Sequence, residues 1–319
     1  MSTIRVSNPY RIYSVFLNDK QYLIFGDVHG KQIRNCLNNE NNIADLIRAM
    51  IFNKEGIDVF FEIPYDKKIN NHTEILTQTA YQFKQCFESK YTCNASFHCI
   101  DIRDGANHTM TILTSLIVFP LINKEDNEQQ IINLCKIFSN KYLLLQYYHI
   151  CILSNNFIED VTSWINLISK NDQKLKELLT KRINYGMIRN NQHLLRYKMS
   201  KLESKDFLIA TKIKKYILKQ IDSFKIDQIL TRFSNKDFSN FENDANSLIR
   251  VEGCLVDFYT LILLFLKDRE DKKVIFMGQK HAENISRFLE TLGGKVNYYK
   301  SNDKLNRCIE IPESEIFKN

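Results

Sequence analysis

The chain contains few glycines and prolines, and this shortage restricts its fold class. Its 319 residues include nine Gly and four Pro. Because tight turns and flexible linkers depend on these residues, a turn-rich all-β fold and long disordered segments are disfavoured. The hydrophobic fraction of 44% and the charged fraction of 25% are those of a globular protein, and the length allows one substantial core with an insertion or second lobe.

The chain also lacks a long apolar run. The N-terminus, MSTIRVSNPYRIYSVF, has no sustained apolar stretch of the secretory type. The longest apolar stretches, 142–153 and 254–266, are interrupted by polar residues and are shorter than a bilayer span. We therefore expect no membrane association.

Cysteine pairs with metal-binding or redox spacing are missing as well. The eight cysteines form no Cys-x-x-Cys motif and no zinc-finger pattern. Without a secretory signal, reduced thiols are the expectation. The predicted compartment is therefore the reducing cytoplasm.

Apolar runs alternate with helix-like segments at both ends of the chain. The hydrophobic pattern predicts strands at 10–17, 21–25, 57–63, 95–102, 273–277 and 296–300. It predicts helices at 41–52, 72–90, 245–266 and 282–292. This order indicates an α/β fold with a mostly parallel central sheet flanked by helices.

The middle of the chain shows no strand pattern. Helices are predicted at 129–138, 141–153, 160–168, 173–185 and 206–224. We therefore predict that residues 1–124 and 245–319 form the two halves of an α/β core. Residues 125–244 are predicted to form a large helical insertion that acts as a lid.

Positive charge is concentrated in the predicted insertion. The net charge of the chain is +7, yet residues 170–220 alone carry 14 Lys/Arg against four Asp/Glu. Such a segment could contact nucleic acid or another anionic surface. A solvated helix face in a lysine-rich chain is the simpler explanation, so nucleic acid stays an alternative partner.

Two Gly-x-x-His motifs each follow an apolar strand. The first is in QYLIFGDVHGKQ, where Asp27 and His29 come directly after Gly26. The second is in KVIFMGQKHAENI, where His281 follows Gly278. Ligands bind at the carboxyl ends of strands in open α/β sheets, and both side-chain types bind metals or transfer protons. We expect the two motifs to share one polar cleft.

Charged residues also end the two strands between these motifs. Glu62 closes an otherwise apolar strand, and it is either an ion-pair partner of a nearby lysine or a metal ligand or general base. Arg103 follows the next strand, where it could stabilise an oxyanion with Asp101 or Asp104 orienting it. A purely structural salt bridge explains Arg103 equally well.

The long helix before the second motif carries two more candidates. Arg250 and Asp257 are seven residues apart, which places them on nearly the same helix face. Asp257 lies among apolar residues, so we expect it to point into a cleft or to pair with a base.

This set resembles the TraB/PrgY/GumN–Tiki superfamily, which includes the erythromycin-esterase-like and ChaN-like proteins. By that resemblance His29, Glu62, Arg250 and His281 correspond to the family's motif positions, and Asp27 lies where some branches carry an acid. Tiki-like members are metal-dependent proteases, whereas esterase-like members hydrolyse an ester without an obvious metal.

The resemblance covers about residues 10–105 and 245–300, and the helical middle matches no specific motif. It implies a hydrolase of peptide or small ester substrates, with His29, His281, Glu62 and Asp27 holding a divalent metal. Mn, Co, Fe and Zn all suit two histidines with carboxylates. Glu62, Arg103 and Arg250 are the expected catalytic residues. If no metal binds, His29 or Glu62 would act as a general base.

Two other functions remain open. GDVHG is also the first signature of calcineurin-like metallophosphatases. The later GDxxDRG and GNHE segments of that family are matched only weakly, by residues 102–105 and 107–108. A catalytically inactive binding or scaffold protein, with the basic helical segment as its contact surface, is the other alternative.

Overall fold

The computed structural model of the protein shows two compact units. The first combines residues 1–102 with 263–319, and the second comprises residues 103–262. The structure describes residues 3–7, 9–27, 41–43, 46, 49–50, 56–64, 95–102, 117–122, 128–154, 156–187, 191–267, 271–300 and 308–316.

A six-stranded sheet forms the centre of the first unit. Its strands are β2 (Arg11–Leu17), β3 (Lys20–Asp27), β5 (Ile57–Pro64), β6 (Ala95–Asp101), β7 (Lys272–Gly278) and β8 (Lys295–Lys300). Their order is β6-β5-β7-β3-β2-β8. The first four strands of this order are parallel, whereas β2 is antiparallel to both β3 and β8. The sheet is therefore mixed.

A two-residue turn accounts for the antiparallel part of the sheet. Asn18 and Asp19 join β2 to β3 with φ angles of 50° and 61°. Positive φ at both turn residues matches the twist of a hairpin, and Asn and Asp tolerate it better than most residues. The chain therefore enters the parallel part of the sheet only at β3.

Side chains alternate along β5 between two different environments. Ile57, Val59, Phe61 and Ile63 belong to the hydrophobic core on one face of the sheet. The same core contains Val6, Ile43, Leu46, Met50, Ile309, Ile311 and Ile316. Asp58, Phe60 and Glu62 therefore point to the other face, as expected for a strand with a period of two.

A second, three-stranded sheet contributes to that core. It is formed by β1 (Thr3–Ser7), β4 (Asn41–Asn42) and β9 (Cys308–Pro312), in the order β4-β1-β9. A short helix, α11 (Glu313–Ile316), follows β9. The sequence patterns did not predict β1 or β9. Cys308 is disulfide-bonded, contrary to the expectation of fully reduced thiols, whereas Cys99, Cys135 and Cys254 are not in disulfides.

Helix α10 (Gln279–Thr291) begins directly after β7 and packs against the other face of the sheet. Gly26 makes this close approach feasible. A Cβ atom at Gly26 would lie 2.2 Å from Gln279 Oε1 and 3.1 Å from the Ala282 Cβ. The first turn of α10 therefore lies directly over the end of β3.

Each described element of the second unit is a helix. These helices are α1 (Phe119–Ile122), α2 (Glu128–Phe138), α3 (Lys141–Leu153), α4 (Phe157–Ile168), α5 (Gln173–Met187), α6 (Asn191–Lys205), α7 (Phe207–Ser223), α8 (Ile226–Ser234) and most of α9 (Phe241–Leu266). Trp164 is buried against the rings of Phe138 and Tyr147. None of the helices in the described part of the chain is long and apolar enough to span a membrane.

Candidate functional site

The Glu62 carboxylate lies at the carboxyl end of β5, against the start of helix α10. Its side chain is 2% exposed, and its Oε2 accepts a hydrogen bond of 2.6 Å from the Gly278 backbone N–H. Gly278 is the N-cap residue of α10. The partial positive charge of a helix N-terminus stabilises a nearby carboxylate, which offsets part of the cost of burying this charge.

His281 of the second Gly-x-x-His motif contacts the same carboxylate. Its Nε2 lies 3.5 Å from Glu62 Oε1, and its side chain is 13% exposed. Gly278 ends the strand and caps the helix, so the residue three positions later returns over the strand ends within the first helical turn. The structure therefore brings two of the predicted site residues together, with the imidazole on the more accessible side of the pair.

Asp27 ends β3 next to the same glycine. Its Cα is paired in register with that of Gly278, and the residue is 5% exposed. Alternation along β3 places Asp27 on the face of Phe25, however, whereas Glu62 lies on the α10 face. Convergence of the Asp27 carboxylate with Glu62 stays a prediction.

Four other predicted residues are not joined to this pair by the described structure. His29, Arg103 and Asp104 lie outside the described residues. Arg250 is exposed on α9, within the helical unit. Their roles in a shared site therefore stay predictions.

Asp257 is 1% exposed on the same helix as Arg250. Burial raises the pKa of the neighbouring Cys254 thiol, and the charge of Asp257 raises it further. The structure does not assign Asp257 to a cleft.

A second buried polar group, which the sequence analysis did not identify, lies at the opposite ends of the same strands. Lys273 Nζ is 3.1 Å from Asp58 Oδ2, with side-chain exposures of 0% and 3%. His98 Nε2 is 3.1 Å from the other carboxylate oxygen, Oδ1. Lys273 also donates to the Lys267 carbonyl, so the buried ammonium has two acceptors.

The charge of Asp58 is stabilised by these partners. Burial alone would raise the pKa of Asp58, but the hydrogen bond with His98 and the charge of Lys273 outweigh burial and lower it. The signal available in the sequence was an acidic residue near the start of β5 and a lysine near the start of β7, each followed by an apolar run. A buried carboxylate next to a buried ammonium is a structural solution to burial, so we assign no chemistry to this group.

A metal ion at the carboxyl ends of the strands would be held by several His, Asp, Glu or Cys side chains. Among the described residues, no group of three or more His, Cys, Asp or Glu side chains is arranged to hold a metal ion. Glu62 and His281 supply two suitable donors, a carboxylate oxygen and an imidazole nitrogen, at one place. A third ligand would have to come from outside the described residues, where the predicted ligand His29 lies.

Comparison with known proteins gives no family for the chain: no family model matches it, and no curated protein and no solved structure shows significant similarity to it. The arrangement of Glu62, Gly278 and His281 is therefore the main observation that bears on function.

Proposed function

We propose that the first unit is a hydrolase of peptide or ester bonds, with Glu62 and His281 as its acid–base pair. The supporting observation is the position of the Glu62 carboxylate between the Gly278 N–H at 2.6 Å and His281 Nε2 at 3.5 Å. These groups lie at the carboxyl ends of parallel strands, where α/β proteins bind their ligands.

In this proposal His281 transfers the proton and Glu62 orients it. A buried carboxylate fixes the ring of a neighbouring histidine and stabilises the imidazolium form. His281 accepts a proton from the attacking water and returns it to the leaving group. Arg103 or Arg250 would stabilise the charge that develops on the carbonyl oxygen. The hydrogen bond from Gly278 keeps Glu62 in position throughout.

A divalent ion fits the same proposal. Glu62 and His281, together with His29 and Asp27, would hold Mn, Fe, Co or Zn. Such an ion would polarise the carbonyl group and activate water. The resemblance to the TraB/PrgY/GumN–Tiki superfamily supports both versions, since its members include metal-dependent proteases and esterases without an obvious metal.

The remaining features of the proposal concern substrate access and location. We propose that the large helical insertion at residues 125–244 contributes the substrate pocket as a lid. We further propose a cytoplasmic location and a peptide or small ester substrate. In this proposal the strand ends of the core carry the catalytic groups, and the inserted lid carries the surface that selects the substrate.

The test is hydrolysis of a panel of peptides, carboxylic esters and one phosphate monoester, with added Mn, Co or Zn and with a chelator. Glu62→Gln should lower the rate about 10²- to 10⁴-fold, because it removes the carboxylate that orients the base. Glu310→Gln is the matched control, since Glu310 forms an exposed ion pair with Arg5. Glu62→Gln at the wild-type rate, or no hydrolysis by the wild type under any condition, would contradict the proposal.

The same panel separates the metallophosphatase alternative. Metal-dependent hydrolysis of the phosphate monoester, without hydrolysis of esters or peptides, would replace our proposal with that one. Loss of metal from a His29→Ala/His281→Ala double variant would assign the metal to the two Gly-x-x-His motifs.

A binding or scaffold protein is the second candidate, and one observation favours it. Phe207 and Leu208 are 71% and 63% exposed at the start of α7. On α6, Lys201 lies over the exposed Tyr197 ring at 4.4 Å. Exposed apolar and basic side chains of this kind mark contact surfaces. Binding of single-stranded RNA that weakens steeply with salt would support this candidate, and absence of such binding would remove its nucleic-acid version.

A further inference from the structure

A group of tyrosines surrounds two cations at the edge of the six-stranded sheet. We refer to it as the Arg11 cluster, which consists of Arg11, Lys300, Tyr10, Tyr13 and Tyr298. Arg11 and Lys300 are directly opposed on β2 and β8, as are Tyr13 and Tyr298 two residues away. Directly opposed residues of an antiparallel pair share a face of the sheet. The four side chains therefore lie on the face that α10 also covers.

The two opposed cations have no carboxylate partner among the described residues. Arg11 interacts with tyrosines alone, and Lys300 is exposed. Glu283 is close enough to Tyr298 for its charge to raise the pKa of that tyrosine, after the larger effect of burial. Its carboxylate, however, is bound by Arg287 and Lys280. Like charges directly opposed across two strands are destabilising, and the described residues supply no carboxylate that would offset this repulsion.

The geometry of Arg11 leaves the hydrogen-bonding edge of its guanidinium available. Its Cζ lies 5.3 Å from the centroid of the Tyr10 ring and 5.6 Å from that of Tyr298. Both rings are 43% exposed. A guanidinium has five N–H donors, and a cation–π contact does not require them, so such a group can bind two oxygens of a carboxylate or phosphate. One of these N–H groups is used by the Tyr13 hydroxyl.

The Tyr13 hydroxyl adds a further donor. It accepts a hydrogen bond of 2.8 Å from Gln279 Nε2 and another from Arg11. A hydroxyl that accepts two hydrogen bonds still has one proton to donate. Gln279 Oε1, at the other end of the amide, is buried and has no partner among the described residues. The Gln279 amide therefore holds Tyr13 in place and leaves the hydroxyl proton of Tyr13 available to a ligand.

We propose that the Arg11 cluster is a binding site for an oxyanion, namely the phosphate or carboxylate group of a ligand. Arg11 and Lys300 supply the charge, and the hydroxyl of Tyr13 supplies a further donor. An anion between the two cations would remove their mutual repulsion. The inference is independent of the proposed hydrolysis. Strand β2 is three strand positions from β5, about 14 Å at the usual spacing, so the cluster does not touch Glu62.

Calorimetric titration of the whole protein with inorganic phosphate, and separately with acetate, tests the proposal at constant low ionic strength. We expect saturable binding of at least one anion, and the tighter of the two identifies the class of ligand. Arg11→Gln should weaken this binding about tenfold or more, since charge-assisted hydrogen bonds are lost. Arg5→Gln, which removes an exposed arginine paired with Glu310, is the matched control and should bind like the wild type.

Two results would overturn the proposal. One is the absence of saturable binding of either anion to the wild type, and the other is equal binding by Arg11→Gln and the wild type. If Arg11→Gln does not fold, Lys300→Gln decides, because this exposed side chain is dispensable for packing. Lys300→Gln should weaken binding severalfold, and unchanged binding would overturn the proposal. Loss of hydrolysis in the Glu62→Gln variant with retained anion binding would separate the two sites.

Discussion

Strand β5 carries a carboxylate near each end, each in contact with a histidine of a neighbouring element, and the two groups differ in how their charge is balanced. At the amino ends, Asp58 is bound by both His98 and the fully buried Lys273. At the carboxyl ends, Glu62 is bound by a backbone N–H and by His281, which is partly exposed. A full opposite charge therefore neutralises the first carboxylate, whereas a helix N-terminus and a titratable ring face the second.

This difference separates structural from chemical use of similar residues. At the amino ends the Asp58 carboxylate is paired with a buried ammonium, which is a structural solution to burial. At the carboxyl ends Glu62 lies next to an imidazole, the side chain that most often transfers protons in enzymes. The comparison therefore assigns stability to the amino ends of the strands and supports the proposal of chemistry at their carboxyl ends.

The largest expected effect is on the amino-end group. Lys273→Met leaves the Asp58 carboxylate buried next to no ammonium, which should lower the free energy of unfolding by about 3–5 kcal/mol. Denaturant unfolding of the variant measures this loss. Lys280→Met is the control, because that side chain is 79% exposed and should contribute almost nothing.

The double variant Asp58→Leu/Lys273→Met sharpens the result. The loss in the free energy of unfolding of the double variant should be smaller than the sum of the losses of the two single variants, by about 1–3 kcal/mol. Strict additivity would show that the two charges do not interact, and the structural half of the comparison would then be wrong.

A smaller loss of stability is expected at the carboxyl ends. Glu62→Ala removes one acceptor from the N-terminus of α10, and caps of this kind contribute about 1–2 kcal/mol. Denaturant unfolding again measures the loss, with Glu310→Ala as the exposed control. A loss as large as that of Lys273→Met would mean that Glu62 is mainly structural, and the comparison between the two ends would fail.

The pH dependence of stability should come in part from Asp58. Its pKa is lowered from 3.8 in the folded state, chiefly by His98 and Lys273 acting against burial. The unfolded chain then binds protons first as the pH falls, so the stabilisation is present above the ordinary pKa and is lost through the folded pKa. One such group contributes a slope of up to about 1.4 kcal/mol per pH unit. Unfolding measured below pH 4 should show a shallower slope in Asp58→Leu/Lys273→Met, and an unchanged slope would contradict this assignment.

The smallest expected effect comes from Gly26→Ala. The new Cβ would displace the end of the Gln279 side chain and press on Ala282. Because the first contact is with the end of a flexible side chain, we expect a loss of about 1 kcal/mol, at the lower limit for overpacking. The measurement is unfolding together with the Tyr13–Gln279 contact in a crystal structure. An unmoved Gln279 side chain in the variant would contradict the packing described for α10.

Local patterns in the sequence were sufficient to predict most of the strands and helices. The strand predicted at 57–63 is observed at Ile57–Pro64, and the helix predicted at 141–153 is observed at Lys141–Leu153. Each is a mainly apolar run whose length matches that of the element. The predicted helix at 72–90 lies outside the described residues.

Features that depend on distant pairing were not predicted. Strands β1 and β9 are five residues each and pair across almost the whole chain, so neither has a recognisable pattern alone. Strand β8 pairs antiparallel with β2, and this pairing of distant segments is not encoded locally in the sequence.

The candidate site shows the same division. Glu62 and His281 were predicted because each follows an apolar strand, and strand ends meet at one edge of a parallel sheet. Asp58 and Lys273 were missed because each is a single charge inside a strand, and 214 intervening residues separate them. Their pairing depends on the strand order β5-β7, which was not known from the sequence.

The most direct test compares the two histidines that contact carboxylates of β5, His98 on β6 and His281 on α10. Rates of hydrolysis of the best substrate should be measured for His281→Gln and His98→Gln, since each histidine contacts a carboxylate of β5. The account predicts that His281→Gln loses at least about 100-fold in rate, as expected for a proton-transfer group, while His98→Gln retains a rate close to that of the wild type. Equal rates for the two variants would contradict the assignment of chemistry to the carboxyl ends of the strands.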